Sequence, residues 1–387
     1  MCGFSRCSPM NEGTRLPVEL IDEIVGYAKE DRHALQACAS LNKAWNAVTR
    51  SHVFRRVKLQ DEDKLSQFED LLQGSPDLGL TVRELTFGPF TPSQTYRASI
   101  RWAARIPKIL PPLLPLVQSI RFVRISDAAE YCDAKFFRAF AGFASVTQLV
   151  IDDSALNIPT LRAFACSLPR LQEFLVLGLI PLMVTVWSPP PLICRPRFTT
   201  LTLDFAVQPS TTMTEFLDWF LKSEARHTVR SLDLSVKVLD AKPVNSLLAS
   251  VGPTLEHLGL KLQALFSSSW EFDLIKRAIS VAPCRNLRSL RLHNPLAPAM
   301  VAILAQVPAE NLRTLTFNVT LGKSFDPVNP EGFERLAAEI ESDRYRHVHT
   351  VRFVHDGFIP LAEVRKGLQR VFPVLEERGA LQFAEAT

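Results

Sequence analysis

The stretch "PRFTTLTLDFAVQPSTTMTEFLDWFLKSEARHTVRSLDL", residues 196–234, contains one complete unit of a pattern that recurs through the chain. Apolar residues occupy the first, fourth and sixth positions of a short segment that begins at Phe198, and the same spacing returns at Val229. Alternation of this kind predicts a strand with its apolar side chains on one face. Between the two segments, Thr212 and Glu215 have the spacing of a capping box and predict a helix start. The unit is therefore strand, helix, strand.

This apolar triplet can be placed at eleven points along the 387 residues. About a dozen triplets would arise by chance in so apolar a chain, so neighbouring residues must support the repeat. Prolines do so, because four of them stand two residues before a triplet, as though marking the same helix-to-strand corner. These prolines are Pro115, Pro169, Pro196 and Pro253. The triplets begin at Phe54, Val82, Val117, Val146, Leu171, Phe198, Val229, Leu255, Leu287, Leu312 and Val348.

Two further segments between triplets predict helices: residues 267–282, with a capping-box spacing, and residues 330–342, which open on Pro330. A unit of this size cannot bury its own apolar faces, so neighbouring units are expected to stack and share one core. The predicted fold class is α/β, a curved horseshoe-shaped solenoid with strands on one side and helices on the other. The pattern resembles leucine-rich repeats over roughly residues 54–383, in an irregular form that lacks the usual asparagine. An ordinary α/β domain is the alternative.

A different pattern occupies the N-terminal segment "LPVELIDEIVGYAKEDRHALQACASLNKAWNAVTRSHVF", residues 16–54. Pro17 suits the first turn of a helix that carries two apolar stripes, and two shorter helices are predicted around residues 32–41 and 42–50. About forty residues cannot form a stable core alone, so the segment must dock on another surface. One stripe contains Val18, Ile21, Val25 and Ala28, and the other contains Leu20, Ile24 and Tyr27.

The segment resembles the F-box in its opening Leu-Pro pair, its recurring apolar residues and the tryptophan before an aromatic residue and the first strand. The resemblance implies that one face binds the Skp-family adaptor of a cullin-RING ubiquitin ligase, while Trp45 and Phe54 pack inward. Asn42 departs from the family, in which many members carry another Cys or a small residue. The residues implied to contact the adaptor are Leu16, Pro17, Leu20, Ile21, Ile24, Leu35 and Leu41.

The resemblance divides the chain into a flexible N-terminus (1–14), an F-box helical module (15–54) and a leucine-rich-repeat-like solenoid (55–387). It implies a non-catalytic subunit of a Skp-cullin-F-box type E3 ubiquitin ligase, which recruits a protein substrate. The main alternative is a protein-binding scaffold outside ubiquitylation, in which the N-terminal helices cap the solenoid. A ligase subunit that senses a small ligand would need a deep pocket, and an α/β enzyme would need a cleft with convergent titratable groups.

Composition excludes several classes of protein. A formal net charge of +4 with no long run of like charge gives no reason to expect nucleic acid or a membrane as partner. The longest apolar run, residues 174–187, contains Pro181 and is too short for a membrane span. The seven scattered cysteines indicate reduced thiols, and we expect a cytoplasmic or nuclear protein.

No catalytic signature or cofactor motif is found, so neither a cofactor nor a metal is expected. "LGKSFD", residues 321–326, lacks the first glycine of a phosphate loop and is interpreted as a turn. His347 and His349 could share one side of a strand, but exposed imidazoles at a strand end are the simpler interpretation. The proline-rich residues 186–197 are interpreted as a surface loop.

A substrate surface can be predicted from the strand alternation, because the third, fifth and seventh positions face away from the core. Asp204 and Asp233 make the middle of this surface acidic, and the C-terminal third is basic. We interpret the basic residues and an adjacent leucine pair as the substrate site, which favours acidic or phosphorylated segments. An ordinary solvated face is the alternative. The predicted substrate residues are Leu175, Leu177, Lys261, Arg291, His293 and Arg352.

Overall fold

The computed structural model describes ten segments of the chain, which contain fourteen strands and thirteen α-helices. These segments are residues 16–88, 100–125, 133–181, 196–205, 210–237, 241–263, 279–293, 297–319, 330–355 and 359–385. The strands are β1 Arg56–Leu59, β2 Glu84–Phe87, β3 Ser119–Val123, β4 Gln148–Asp152, β5 Ala155–Leu156, β6 Glu173–Leu177, β7 Ile180–Pro181, β8 Thr200–Asp204, β9 Ser231–Lys237, β10 His257–Gln263, β11 Ser289–His293, β12 Thr314–Val319, β13 Thr350–His355 and β14 Leu381–Glu385.

Three helices precede the first strand, and the others lie between strands. The helices are α1 Val18–Tyr27, α2 Arg32–Leu41, α3 Lys43–Val53, α4 Glu62–Gly74, α5 Ile106–Leu113, α6 Ala134–Phe140, α7 Ile158–Ser167, α8 Ser210–Lys222, α9 Ala241–Val251, α10 Ala297–Leu304, α11 Pro330–Ile340, α12 Leu361–Val371 and α13 Pro373–Glu377. The helices predicted in the N-terminal segment, in residues 196–234 and at Pro330 are confirmed. The predicted capping box at Thr212 lies inside α8, which begins two residues earlier at Ser210.

A twelve-stranded parallel sheet organises the mixed α/β fold. Its strands follow one another in chain order, β1-β2-β3-β4-β6-β8-β9-β10-β11-β12-β13-β14. Strands β5 and β7 pair with each other in a separate parallel sheet of two strands. Parallel neighbours need a crossover connection, and the helices from α4 to α13 lie in these crossovers.

The register of the sheet aligns the apolar triplets of neighbouring strands. Leu201 of β8 is the Cα partner of Leu232 of β9, which in turn is the partner of Leu258 of β10. Because the fourth-position residue of each triplet is the partner of the fourth-position residue of the next, the buried apolar side chains of the triplets point to one face. The predicted positions of the eleven strands that carry triplets are confirmed.

Strand β14 is a twelfth member of the sheet that has no triplet. Its Leu381 and Phe383 pair with Val351 and Phe353, but Arg378 occupies the first position. The guanidinium of Arg378 donates hydrogen bonds to the carbonyl oxygens of Arg346 and Val348. A cation therefore replaces the apolar residue that the pattern requires.

Helices pack against the apolar face of the sheet and form one continuous core with it. Phe122 of β3 shows this packing, because its ring lies 6.0 Å from that of Phe140 in α6 and 5.0 Å from that of Phe164 in α7. All three side chains are almost completely buried. The opposite face of the sheet carries the side chains of the third, fifth and seventh positions, most of which are polar.

The cysteines differ in their chemistry. Cys38 and Cys284 are free thiols, and burial raises the pKa of Cys284 to about 12. Cys166 of α7 is disulfide-bonded, and its partner lies outside the described residues. The expectation of reduced thiols is therefore wrong for Cys166.

Several sequence expectations fall outside the residues that the structure describes. They are the turn at 321–326, residues 267–278 of a predicted helix, residues 186–195 of the proline-rich loop, and the N-terminal residues 1–14. No helix in the described ranges combines the length and apolar character that crossing a bilayer requires.

Candidate functional site

The N-terminal helices α1, α2 and α3 form a small apolar cluster of their own. Ile21 and Val25 of α1 and Leu35 of α2 are buried at its centre. Trp45 of α3 packs against this cluster, whereas Phe54 packs against the main core. The cluster thus uses the α1 stripe that contains Ile21 and Val25, and it is linked to the sheet through the residues that follow α3.

Two side chains cap the helices of this cluster. The Asp31 carboxylate accepts hydrogen bonds from the backbone N–H groups of His33 and Ala34. Asn42, the residue that departs from the F-box pattern, lies between α2 and α3 and accepts from the N–H groups of Ala44 and Trp45. An N-cap oxygen satisfies N–H groups that have no partner within the helix. The departure is therefore explained by a structural role for Asn42.

Replacing Asn42 by Ala is expected to destabilise α3 by about 1 kcal/mol, because it removes the cap. Hydrogen exchange of the intact chain would measure this as faster exchange at the first turn of α3. Gln36→Ala, on the exposed surface of α2, is the control and should leave the exchange unchanged. Equal exchange in Asn42→Ala and the parent would show that the cap contributes nothing.

Charged groups fix the position of the N-terminal helices on the sheet. Arg56 of β1 forms ion pairs with Glu30, at 2.9 Å, and with Glu84 of β2, at 3.1 Å. The negative charge of Glu84 and the hydrogen bond to Glu30 raise the pKa of the Arg56 guanidinium. Within the cluster, His52 Nε2 lies 2.8 Å from Asp22 Oδ1 and connects α3 to α1.

An apolar face of α1 remains exposed, which we call the α1 face: Leu20, Ile24 and Tyr27. These residues recur at the spacing of one helix side and form the second of the two predicted stripes. Their exposed fractions are 45% for Leu20, 44% for Ile24 and 85% for Tyr27. Other exposed large apolar residues of the same segment are Leu16, Val18, Leu41 and Val53, and Pro17 is also exposed. The side chains of Ile21 and Leu35 lie inside the cluster instead.

A second candidate site is a pocket of about 410 Å³ on the polar face of the sheet. Four of the predicted substrate residues line it: Leu177, Lys261, Arg291 and His293. Leu175 is not part of its lining, and Arg352 of β13 instead donates hydrogen bonds to Gln382. The remaining lining residues are Thr202, Leu203, Asp204, Asp233, Leu234, Ser235, Gly259 and Asn318. The lining thus includes side chains from β6 through β12.

One ion pair crosses this pocket. Lys261 Nζ of β10 lies 2.9 Å from Asp204 Oδ2 of β8, so the pair spans the intervening strand β9. Asp204 Oδ1 is buried and forms no hydrogen bond with the described residues. The charge of Lys261 is therefore largely neutralised within the protein.

His293 is held in its neutral form. Burial, followed by the positive charge of Arg291, lowers the pKa of His293, while Asp233 and Asp204 oppose the shift and Lys261 adds to it. The Asn318 Nδ2 amide lies 3.0 Å from His293 Nδ1. Since an amide N–H donates, the ring nitrogen accepts this hydrogen bond, which also favours neutral imidazole.

Replacing His293 by Gln is expected to reduce the loss of stability on acidification. Below about pH 6.5 the unfolded histidine binds a proton that the native residue resists, because the native pKa is lowered. The stability contributed by neutral His293 is thus complete above about pH 6.5 and is lost as the pH falls toward the folded pKa. Thermal unfolding across this range measures the effect, with His257→Gln on β10 as the control. Parallel curves for His293→Gln and the parent would contradict it.

Glycine at position 259 creates space between two charged residues. Asp233 and Arg291 are the Cα partners of Gly259 on either side. A Cβ atom added to Gly259 would lie 1.7 Å from Asp233 Oδ1, so the carboxylate occupies the space that any other residue would fill. Asp233 and Arg291 form no side-chain hydrogen bond or ion pair with each other or with another described residue.

The sequence placed acidic and basic residues on this surface but did not indicate the roles of Gly259 and Asn318. Gly259 stands at an outward-facing position at which both neighbouring strands carry a charged side chain. The sequence pattern therefore did contain a sign that this glycine is unusual. Asn318 gave no such signal, since only the structure shows its contact with His293. In the described residues no group of three or more His, Cys, Asp and Glu side chains could hold a metal ion.

Comparisons with known proteins give partial similarities. No protein-family model matches the sequence. The chain is 33% identical to the F-box protein COS111 of Candida glabrata over 70 residues, which cover 18% of this chain and 8% of that protein. Among solved structures, a chain of the Rad7 and Elc1 complex of yeast aligns with 95% of this chain and 92% of its own length, with 13% identity and a TM-score of 0.34. The sequence similarity to this F-box protein is thus limited to a short segment.

Proposed function

We propose that this chain is a substrate-recruiting subunit of a Skp-cullin-F-box type E3 ubiquitin ligase. In this proposal the helical module, residues 15–54, binds the Skp-family adaptor. Residues 55–387 form a leucine-rich-repeat-like, horseshoe-shaped solenoid that binds the protein substrate and performs no catalysis. The protein works in the cytoplasm or the nucleus and needs no cofactor.

The exposed α1 face is the observation that carries the proposal. Leu20 and Ile24 each expose more than two fifths of their surface, although Ile21 and Val25 of the other stripe are buried. Aligned apolar residues on one helix face mark a surface that a partner covers. The short similarity to an F-box protein supports an adaptor as that partner.

The proposed adaptor surface consists of Leu16, Pro17, Leu20, Ile24 and Leu41. Ile21 and Leu35, which the F-box resemblance also assigns to it, support the surface from within, because they are 3% and 5% exposed. Their side chains hold α1 against α2 and so set the orientation of the α1 face. Adaptor contact by these two residues would require the cluster to open.

The alternative, a cap that seals the end of the sheet, explains the buried stripe but not the exposed one. A cap would bury both stripes within the chain, as the apolar ends of repeat proteins do. Here Phe54 makes the contact with the main core, and the α1 face does not. The exposed stripe therefore favours the ligase subunit over the scaffold.

The adaptor proposal is tested by mixing the intact purified chain with the Skp-family adaptor and measuring complex formation by size-exclusion chromatography. A stable one-to-one complex is expected. Failure of the folded chain to bind would leave residues 16–54 as a cap and the protein as a scaffold. The same outcome would remove the ligase function.

We further propose that the substrate contacts Leu177, Lys261, Arg291 and His293, with Leu175 and Arg352 at the edges of the site. Arg291 and Arg352 lie on β11 and β13, separated by one strand. Together they make this part of the face suitable for acidic or phosphorylated segments.

Replacing Arg291 and Arg352 by Glu is expected to abolish substrate capture while adaptor binding persists. Substrates would be compared by affinity purification of the intact chain and the double variant. Arg335→Glu with Arg370→Glu, on the exposed faces of α11 and α12, provides a charge-matched control. An unchanged set of captured proteins would remove these arginines from the substrate site.

A further inference from the structure

We propose that the pocket between β6 and β12 binds a ligand that carries a cationic and an anionic group close together. Asp233 receives the cation and Arg291 receives the anion. The ligand chemistry is therefore that of a zwitterion, either a free small molecule or neighbouring basic and acidic side chains of a bound peptide. In its peptide form the inference rests on the proposed function, and it then defines the substrate class more narrowly than an acidic segment does.

The pocket contains two pairs of opposite charges. One pair forms an ion pair, and the members of the other, which we call the open pair, form no ion pair with each other. Lys261 and Asp204 neutralise each other at 2.9 Å. Asp233 and Arg291 remain without a side-chain partner among the described residues. A purely anionic ligand would find only Arg291 free and would be repelled by Asp233. A ligand with both charges satisfies the open pair without breaking the closed one.

Gly259 makes room for the Asp233 carboxylate and so brings the anionic group closer to Arg291. It lies between Asp233 and Arg291 in the register of the sheet, so their Cα atoms are about 10 Å apart across two strand spacings. Because position 259 has no side chain, the Asp233 carboxylate lies over the backbone of Gly259, on the side of Asp233 that leads to Arg291. A compact ligand with its charges a few bonds apart can reach both.

Other properties of the pocket agree with a small or side-chain ligand. Its volume of about 410 Å³ lies within the range of small-molecule sites. Leu203 and Leu234 are fully buried, and half-buried Leu177 adds an apolar wall beside the polar groups. Neutral His293 and Thr202 add hydrogen-bonding groups without adding charge. Eight of the twelve lining residues are polar or charged, which suits a ligand held mainly through charges and hydrogen bonds.

The test uses the intact chain and isothermal titration with probes that differ in charge alone. 4-Aminobutyrate carries both charges, whereas butyrate and butylammonium each carry one on the same chain length. The peptide arm uses blocked pentapeptides Ala-Lys-Ala-Glu-Ala, Ala-Lys-Ala-Ala-Ala and Ala-Ala-Ala-Glu-Ala, which have no terminal charges. The pocket variants are Asp233→Asn, Arg291→Met and Gly259→Ala. Asp70→Asn and Arg370→Met, exposed on α4 and α12, are the matched controls.

We expect a doubly charged probe to bind at least about tenfold more tightly than its singly charged counterparts. Each pocket variant should lose about tenfold in affinity, and both controls should bind as the parent does. Preference for 4-aminobutyrate identifies a free zwitterion as the ligand, and preference confined to the Lys-Glu peptide identifies a substrate segment. Either result supports the inference.

The inference is overturned if no doubly charged probe binds, if a singly charged probe binds equally well, or if Asp233→Asn has no effect. These results leave the ligase proposal intact, because adaptor binding is measured on a different surface. Four strand steps separate β1, beside the helical module, from β6, the first strand of the pocket, a distance of about 19 Å along the sheet. Conversely, a chain that binds the probes but not the adaptor would retain the pocket and lose the ligase function.

Discussion

Replacing Leu20 by Asp is expected to abolish capture of the Skp-family adaptor. Leu20 lies on the α1 face, 45% exposed, and the proposed complex would bury it. Burying an unpaired carboxylate costs several kcal/mol, and each 1.4 kcal/mol corresponds to a tenfold change in affinity. The affinity should therefore fall by at least about a hundredfold, as measured by surface plasmon resonance with the intact chain.

The matched control for this experiment is Leu116→Asp. Leu116 is 41% exposed and precedes β3, away from the N-terminal helices, so it tests the cost of an added surface carboxylate. The circular dichroism and melting temperature of both variants should match those of the parent, because neither side chain is in the core. Equal binding by Leu20→Asp and Leu116→Asp would remove the α1 face from the proposed adaptor surface.

Replacing Phe122 by Ala is expected to cause the largest loss of stability, about 3–5 kcal/mol. The ring of Phe122 is 1% exposed and lies 5.4 Å from Phe87, 6.0 Å from Phe140 and 5.0 Å from Phe164. Its removal would leave a cavity where β3 meets α6 and α7. Urea unfolding of the intact chain, followed by circular dichroism and by tryptophan fluorescence, measures the change.

Phe383→Ala is the matched control for the core prediction. Phe383 occupies the same sixth position in β14 at the end of the sheet, but its side chain is half-buried. Its ring has one close aromatic neighbour in the sheet, Phe353, at 6.3 Å. The expected loss is therefore about half that of Phe122→Ala or less. Equal losses of stability in the two variants would mean that the burial of the ring does not determine how much its removal destabilises the protein.

The strand positions could be predicted from the sequence because each strand obeys a short-range rule. Alternating apolar residues must point to one side, and a shift by one residue would expose them all. The apolar pattern did not predict β14, because Arg378 stands where an apolar residue was expected. Its guanidinium donates hydrogen bonds to backbone carbonyl oxygens instead. The pattern also gave no sign of β5 and β7, whose two residues each are too short to show a period.

The candidate sites were predictable to different degrees. Helical periodicity defined the two stripes of α1, but it did not show which stripe packs against α2 and α3. That outcome depends on partners such as Leu35, which lie on a different helix. The pocket depends on longer-range pairing, because Lys261 meets Asp204 across 57 residues of sequence. Only the aligned register brings these groups together.

The distance between the α1 face and the pocket has a consequence for the behaviour of mutant alleles. Under the proposed function, a chain with a damaged α1 face would still hold its substrate while failing to deliver it. Produced beside the normal chain, it would sequester substrate and act as a dominant inhibitor. A chain with a damaged pocket would bind adaptor without substrate and would inhibit only when abundant enough to occupy the adaptor. The separation of about 19 Å along the sheet between β1 and β6 therefore predicts two genetically distinct classes of loss-of-function allele.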